Sequence, residues 1–421
     1  WSIPPISGTL IERPPARSLT EAMSDQHPPR MGQRIAELRK IHGATQQALA
    51  LRANVSYSIL RKVECGERAA SPSFIAAIAR ALTVSVIDIT EQPYGAHNAH
   101  PTSEQTGVPA LRQALVEGDD PELDTSLRPL DDLRAAMAEI NEVFRKGKYA
   151  EVVRSLPDLL RHLHATANAC RVDARPGVHE MLSAAYRYAT VALYRLGHLD
   201  LAHLTDERAR TAAARGDDPL RAAVAEYNHS LILMFDGAYP AALRSIERAD
   251  AIVDLAPASP AVPAVRGSLH LRASIIAARA TNTDLATEHL IAARSLAVAG
   301  HDEADFYSTN FGPVNVSIHE VAVPIELADG TTAVTRAAKL ILPAHIAPSR
   351  AGHHWIDLSR AWLLHGDRAR ALNSLQHARR IAPQLTRYHP QVHETVHVLA
   401  ARDARSTASL RHFAAWCGIR T

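Results

Sequence analysis

Between positions 31 and 90, apolar residues recur at intervals of three and four in five short runs. That period predicts helices over Gly32–His42, Thr45–Arg52, Ser56–Cys65, Ser71–Leu82 and Ser85–Ile89. Thr45, Ser56, Ser71 and Ser85 stand at four of the starts, where a hydroxyl can take up the N–H groups a helix leaves open. From Arg128 onward the helical period continues with no sustained strand-type alternation, so the expected fold is all-α. Six breaks interrupt it, at Gly147-Lys-Tyr149, Gly197-His-Leu199, Gly237-Ala-Tyr239, Thr281-Asn-Thr283, Asp329-Gly-Thr331 and Gly366-Asp-Arg368. They lie 37 to 50 residues apart, the range of helix-hairpin repeats. After four of them the pairs Ala202 and Ala209, Ala242 and Ala249, Ala286 and Ala293, and Ala371 and Ala378 keep a spacing of seven. Small side chains there let paired helices approach closely.

The remaining segments are polar. Residues 93–127, rich in proline and glycine, read as a flexible linker with a short helix over Pro109–Glu117. Residues 1–30, with three Pro-Pro pairs, read as an unstructured tail, with Met23 or Met31 as the natural start. The expected domains are therefore 31–92 and 128–421.

Composition adds exclusions. The 421 residues are 47% hydrophobic but only 5% aromatic, enough for two or three domains with cores of small aliphatic side chains. A net charge of +2 demands neither a polyanion nor a membrane surface as partner for the chain as a whole. Locally the balance differs, since residues 31–91 hold eight basic against five acidic side chains. Cys65, Cys170 and Cys417 are too few and too scattered for a disulfide framework or a zinc knuckle. No run reaches the ~18 apolar residues of a membrane helix, so a cytoplasmic chain with no membrane partner is expected. No dinucleotide fingerprint, Walker loop or catalytic triad is present, and no cofactor is expected.

In the segment from Gln46 to Gly66, Leu49, Ala53, Val55, Leu60 and Val63 occupy the positions two crossed helices must bury. Ala50 keeps the helices close, and Asn54 sits where the turn needs a positive φ. With Arg34, Leu38, Arg39, Glu64, Gly66 and the closing Ala81-Leu82-x-Val84-Ser85, the first domain resembles the Cro and lambda-repressor (XRE-type) helix-turn-helix family. The resemblance implies a sequence-specific transcription regulator reading a two-fold symmetric operator as a homodimer. It places base contacts on Ser56, Tyr57, Ser58 and Lys62, and phosphate contacts on Gln46, Arg39, Arg61 and Arg68.

The C-terminal array resembles the tetratricopeptide repeats, most clearly at Gly366, Ala371, Leu375, Ala378 and Pro383. Stacked repeats form a solenoid with a concave binding face. Register from the turns places Arg187, Tyr227, Asn228, Arg272, Asn315, His319, Glu320, Asp357 and Arg360 near that face, as candidates for holding an effector. The whole is similar to peptide-sensing regulators of the pheromone-receptor class, which implies a peptide or small-molecule effector and dimerisation through the repeats. Two other readings stand beside it. One is an interaction hub tethered to DNA without a small ligand. The other is a zinc metallopeptidase, since His393-Glu394-Thr395-Val396-His397 matches H-E-x-x-H. Because that motif lies in the last helix hairpin, with Val392, Val396 and Leu399 as a core stripe and no clear third ligand, neither a metal nor catalysis is expected.

Overall fold

A computed structural model describes residues 31–94, 105–123, 126–297, 305–402 and 408–419, and the expected tail over 1–30 lies outside these. The N-terminal domain packs five helices, α1 (Met31–Ile41), α2 (Gln46–Ala53), α3 (Tyr57–Glu64), α4 (Pro72–Leu82) and α5 (Val86–Thr90), within two residues of the sequence expectation. Three of the anticipated caps form. Thr45 accepts from the Ala48 N–H and Ser71 from the Phe74 N–H, while Ser85 and Asp88 make a reciprocal capping box. Ile35, Leu49, Leu60 and Ile78 are fully buried where these helices cross. Asn54 holds φ 53° in the α2–α3 turn, as its position requires.

The C-terminal body is a stack of six helix hairpins, and no strand occurs among the described residues. The first helices are α7 (Leu130–Arg145), α9 (Arg175–Leu196), α11 (Pro219–Phe235), α13 (Ala261–Arg279), α15 (Pro313–Glu326) and α17 (Pro348–His365). The second helices are α8 (Tyr149–Ala169), α10 (Leu199–Ala213), α12 (Tyr239–Val253), α14 (Thr283–Leu296), α16 (Gly330–Ala337) and α18 (Arg368–Ile381). Each break is a left-handed stop. Glycine supplies it in four hairpins, whereas Thr281 at φ 60° and Ala328 at φ 62° supply it in the others. The alanines spaced by seven are all completely buried, so each hairpin closes at short range.

First helices touch one another from hairpin to hairpin and so line the inside of the stack. Three are tied by buried charge. Glu326 of α15 accepts from Arg279 of α13 at 3.2 Å and from Arg360 of α17 at 3.0 Å, and Arg360 also reaches Asp357 at 3.0 Å. The two guanidiniums hold the Glu326 carboxyl down at about 2 despite its burial.

The stack curls back on itself through three closing helices, α19 (Pro383–Tyr388), α20 (Pro390–Arg402) and α21 (Ala408–Cys417). Helix α19 touches both α8 and α9, and the Ala150 N–H donates to Gln384 at 3.1 Å. First and last hairpins thereby share one hydrophobic core.

The segment expected as a flexible linker is anchored where it is described. Helix α6 (Val108–Glu117) buries Val108, Leu111 and Leu115 against α8, and Arg161 grips Glu117 through two hydrogen bonds of 2.5 and 2.8 Å. An apolar stripe at spacings of three and four within a polar stretch is the physical reason.

Candidate nucleic-acid interface and ligand groove

Helix α3 turns its apolar side, Leu60 and Val63, into the domain and leaves Ser56, Tyr57, Ser58, Arg61 and Lys62 exposed on one open face. The Ser56 side chain makes no cap, so the first N–H groups of α3 stay open beside it. A helix start of that kind favours an anion such as a phosphate. All four expected base-reading residues therefore share a free surface, with Arg61 beside them and Arg68 half-buried on the following loop.

Arg39 and Gln46 are placed differently from the phosphate role expected of them. Arg39 donates to both oxygens of Glu64 at 2.8 and 2.9 Å and to the Ala44 carbonyl at 3.0 Å. Gln46 Nε2 donates to the same carboxylate at 2.7 Å. Their side-chain donors fix the far end of α3 to α1 and α2, and hydrogen bonding to Glu64 raises the Arg39 pKa. A carboxylate at the end of an otherwise basic helix was the sequence signal for this clamp.

The family comparison fits this geometry, since the model described as Helix-turn-helix matches residues 35–89. The N-terminal domain is a helix-turn-helix domain. It is DNA-binding by family. Comparison with curated proteins gives no match. Among solved structures, the chain is similar to Bacillus thuringiensis PlcR, determined in complex with the peptide PapR7 and DNA. Identity is 14% and the TM-score 0.26, over 64% of this chain and 94% of that one.

The side of the helix-turn-helix domain away from α3 is seated on the body at two places. At the α11–α12 turn, Arg80 donates to the Gly237 carbonyl at 2.8 Å, and Phe235 packs on the domain core. The fit is close enough that a Cβ on Gly237, already at φ +73°, would lie 2.4 Å from the Ala76 methyl. At α20, the Ala70 N–H donates to Glu394 Oε1 at 2.7 Å and Gln391 Nε2 to the Ala70 carbonyl at 3.3 Å. Tyr94 stacks on His393 at 3.8 Å, and His393 Nε2–H donates to the Arg387 carbonyl at 2.7 Å.

The first two residues of the H-E-x-x-H match thus serve the contact between domains. Burial pushes the Glu394 carboxyl up to about 7 and His393 down to about 3. Among the described residues no group of three potential metal ligands assembles.

The nine effector candidates divide by surroundings. Arg187, Tyr227, Arg272 and His319 converge on the inner face, where Arg272 donates to the Tyr227 hydroxyl at 2.9 Å and lies 4.5 Å from its ring centre. Asn228 instead faces α10, donating to Asp206 at 3.1 Å. Glu320 is held from outside the groove by Arg294 and Asp357 and Arg360 belong to the Glu326 cluster. Asn315 is buried and donates to the Asn310 carbonyl at 2.7 Å, so it shapes the turn before α15.

Sequence reasoning missed Arg195 on α9, and Arg350 and His353 on α17. Tyr227 feels Arg272, Arg350 and Arg187, while His353 feels Arg195, Arg350 and Arg272. Their signal was position on first helices, available once the inner surface is known.

A strap over Asp305–Asn310 crosses this face from the fifth hairpin to the first two. Arg187 Nη2 donates to the Ser308 carbonyl at 2.9 Å, Tyr188 shares a hydrogen bond with the Ser308 hydroxyl at 2.9 Å, and Arg145 pairs with Asp305 at 2.6 Å. Tyr307, Ser308 and Asn310 all hold positive φ, a conformation that costs such residues energy and needs the surrounding contacts to persist.

Proposed function

We propose that this chain is a cytoplasmic, sequence-specific transcription regulator whose helix-hairpin body senses an effector and sets how its helix-turn-helix domain meets DNA. The observation that carries the reading is the mounting of that domain. Its recognition face is open, whereas its opposite side rests on α11–α12 and on α20, segments more than 130 residues apart in sequence. A seat built from two distant parts of a curled stack senses the curvature of that stack. A ligand on the inner face that changes curvature therefore changes the seat, by as much as its affinity differs between the two forms.

One helix-turn-helix domain reads few base pairs, so the operator in this reading is two-fold symmetric and the working unit a homodimer. The chain acts by binding and performs no catalysis of its own. No described helix is long and apolar enough to cross a membrane.

The test is selection of bound sites from random duplex DNA by the full chain, with Tyr57→Ala/Lys62→Ala as control. A symmetric motif lost in the double variant supports the reading. Enrichment of no sequence, with weak binding abolished by salt, overturns it.

A further inference from the structure

Arg187, Arg195 and Arg272 sit on the inner helices α9 and α13, and no carboxylate pairs with any of them among the described residues. Arg187 is 6% exposed, yet its direct partners are the Ser308 carbonyl and the faces of Phe144 and Tyr188, and the carboxylate whose charge reaches it, Asp305, is already paired with Arg145. Arg187 Nε, Arg195 Nε and Arg272 Nη1 are buried N–H groups with no acceptor. Leaving charged donors in that state is costly, because water is removed without a counter-charge replacing it.

The neighbouring titratable groups report the same positive field. Burial alone would raise the pKa of the Tyr227 hydroxyl, yet the surrounding arginines lower it. His319 is pushed down to about 3 by burial, with Arg350 and Arg272 adding to the effect, and His353 also falls well below the usual range. Two guanidiniums without a paired carboxylate about one tyrosine, Arg187 and Arg272 at Tyr227, with Arg195 farther along α9 beside Tyr149 and His353, are poorly suited to a scaffold and well suited to a site awaiting negative charge.

We propose that the inner face of the solenoid binds an anionic ligand through a carboxylate, with Arg187 and Arg272 as its principal donors about Tyr227 and Arg195 extending the site along α9. This rests on the effector-sensing reading above and names the chemistry of the effector. A carboxylate supplies the charge-assisted, two-pronged acceptor that guanidinium geometry matches, and would replace the neutral Ser308 carbonyl on Arg187. Binding would then compete with the strap over Asp305–Asn310.

The experiment follows the thermal midpoint of the full chain at constant ionic strength in chloride and in citrate. It adds a pool of tetrapeptides with free C-termini and the same pool amidated. Citrate or the free-acid pool is expected to raise the midpoint saturably, by at least about 2 °C. Stabilisation by citrate marks a small acid, and stabilisation by the free but not the amidated pool marks a peptide terminus. Arg272→Met and, separately, Arg187→Met should remove the response while leaving the ligand-free midpoint at or above that of the wild type, since each removes an unpaired buried charge. A midpoint indifferent to every carboxylate, a response that persists in both variants, or a clear loss of ligand-free stability in both would overturn the proposal. Operator affinity measured in the same solutions separates the two readings. A shifted midpoint with unchanged DNA binding would retain the anion site and remove the sensing role.

Discussion

On α3 the side chains of Tyr57, Ser58, Arg61 and Lys62 stand in solvent, and the charged ones need no counter-charge because water supplies their solvation. On α9 and α13, Arg187 and Arg272 are drawn into the body and held by a carbonyl, a hydroxyl and ring faces. The first arrangement costs little when idle and gains on meeting DNA phosphates by releasing their counterions. The second is under tension when idle, so an incoming anion has more to relieve. Surface charge thus suits contact with a long polymer, and buried unpaired charge suits selection of one small group. The Glu326 cluster marks the boundary of that contrast, for there the buried guanidiniums of Arg279 and Arg360 do have a carboxylate between them.

Removing that carboxylate is the strongest way to break the contrast. Glu326→Ala would leave Arg279 without a counter-charge and Arg360 with Asp357 alone, and should destabilise the body by about 3–5 kcal/mol. Urea unfolding followed by far-UV circular dichroism checks this, and a loss below about 1 kcal/mol would show that water already reaches the cluster. The helix-turn-helix core has no side chain in this network and should refold independently of the change.

A second break acts on the seat. In Gly237→Ala the new methyl meets Ala76 at 2.4 Å and strains a backbone already at φ +73°, which should weaken docking by about 2 kcal/mol while leaving both domains folded. Hydrogen exchange at the Ala70 amide, whose N–H is held by Glu394, reads docking directly. Unchanged protection at Ala70 would mean that α20 alone holds the domain.

Much of this architecture was legible in the sequence because its signals are local. Thr45, Ser71 and Ser85 cap their helices, Asn54 takes the turn, and the six breaks stop six helices, each judged from a few neighbouring residues. What escaped depends on partners far along the chain. Glu394 meets Ala70 across 324 positions, Arg187 meets Ser308 across 121, and Glu64 captures Arg39 across 25. Nothing near His393 and Glu394 distinguishes a ligand pair from an interdomain contact. Likewise Asn228 and Glu320 were assigned to the inner helices correctly and to the groove incorrectly, because one helix has both an inner face and a face toward its own hairpin partner.

The DNA face permits a gentler test. Lys62 is fully available for a base edge, so Lys62→Ala should cost about 1–3 kcal/mol on the preferred site and relax specificity at one position of each half-site. Arg61→Ala should weaken binding to all sequences alike and reduce the dependence on salt. Quantitative gel shifts on matched and mismatched duplexes distinguish the two, and identical profiles for both variants would mean that Lys62 holds phosphate rather than a base.

The smallest effect concerns pH at the seat. Glu394 has its carboxyl raised to about 7 by burial, the Ala70 N–H opposing this only in part, whereas in an undocked domain it would return toward 4.5. The docked form therefore binds the extra proton. Its contribution is fully present below the undocked value and is lost as pH rises through about 7. Neighbouring His393, pushed down to about 3, and Tyr94, raised by burial, both stay neutral from pH 6 to 8. Across that interval docking should weaken by about 1.4 kcal/mol, close to tenfold in the docked-to-undocked ratio. Exchange of the Ala70 amide, corrected for its intrinsic pH dependence, should show that change in the wild type. In Glu394→Gln the side chain keeps an oxygen for the Ala70 N–H but cannot ionise, so the ratio should stay flat. A wild-type ratio equally flat would place Glu394 in contact with water, and the coupling between body and reader would then rest on Arg80 with Gly237, Phe235, Gln391 and the Tyr94–His393 stack.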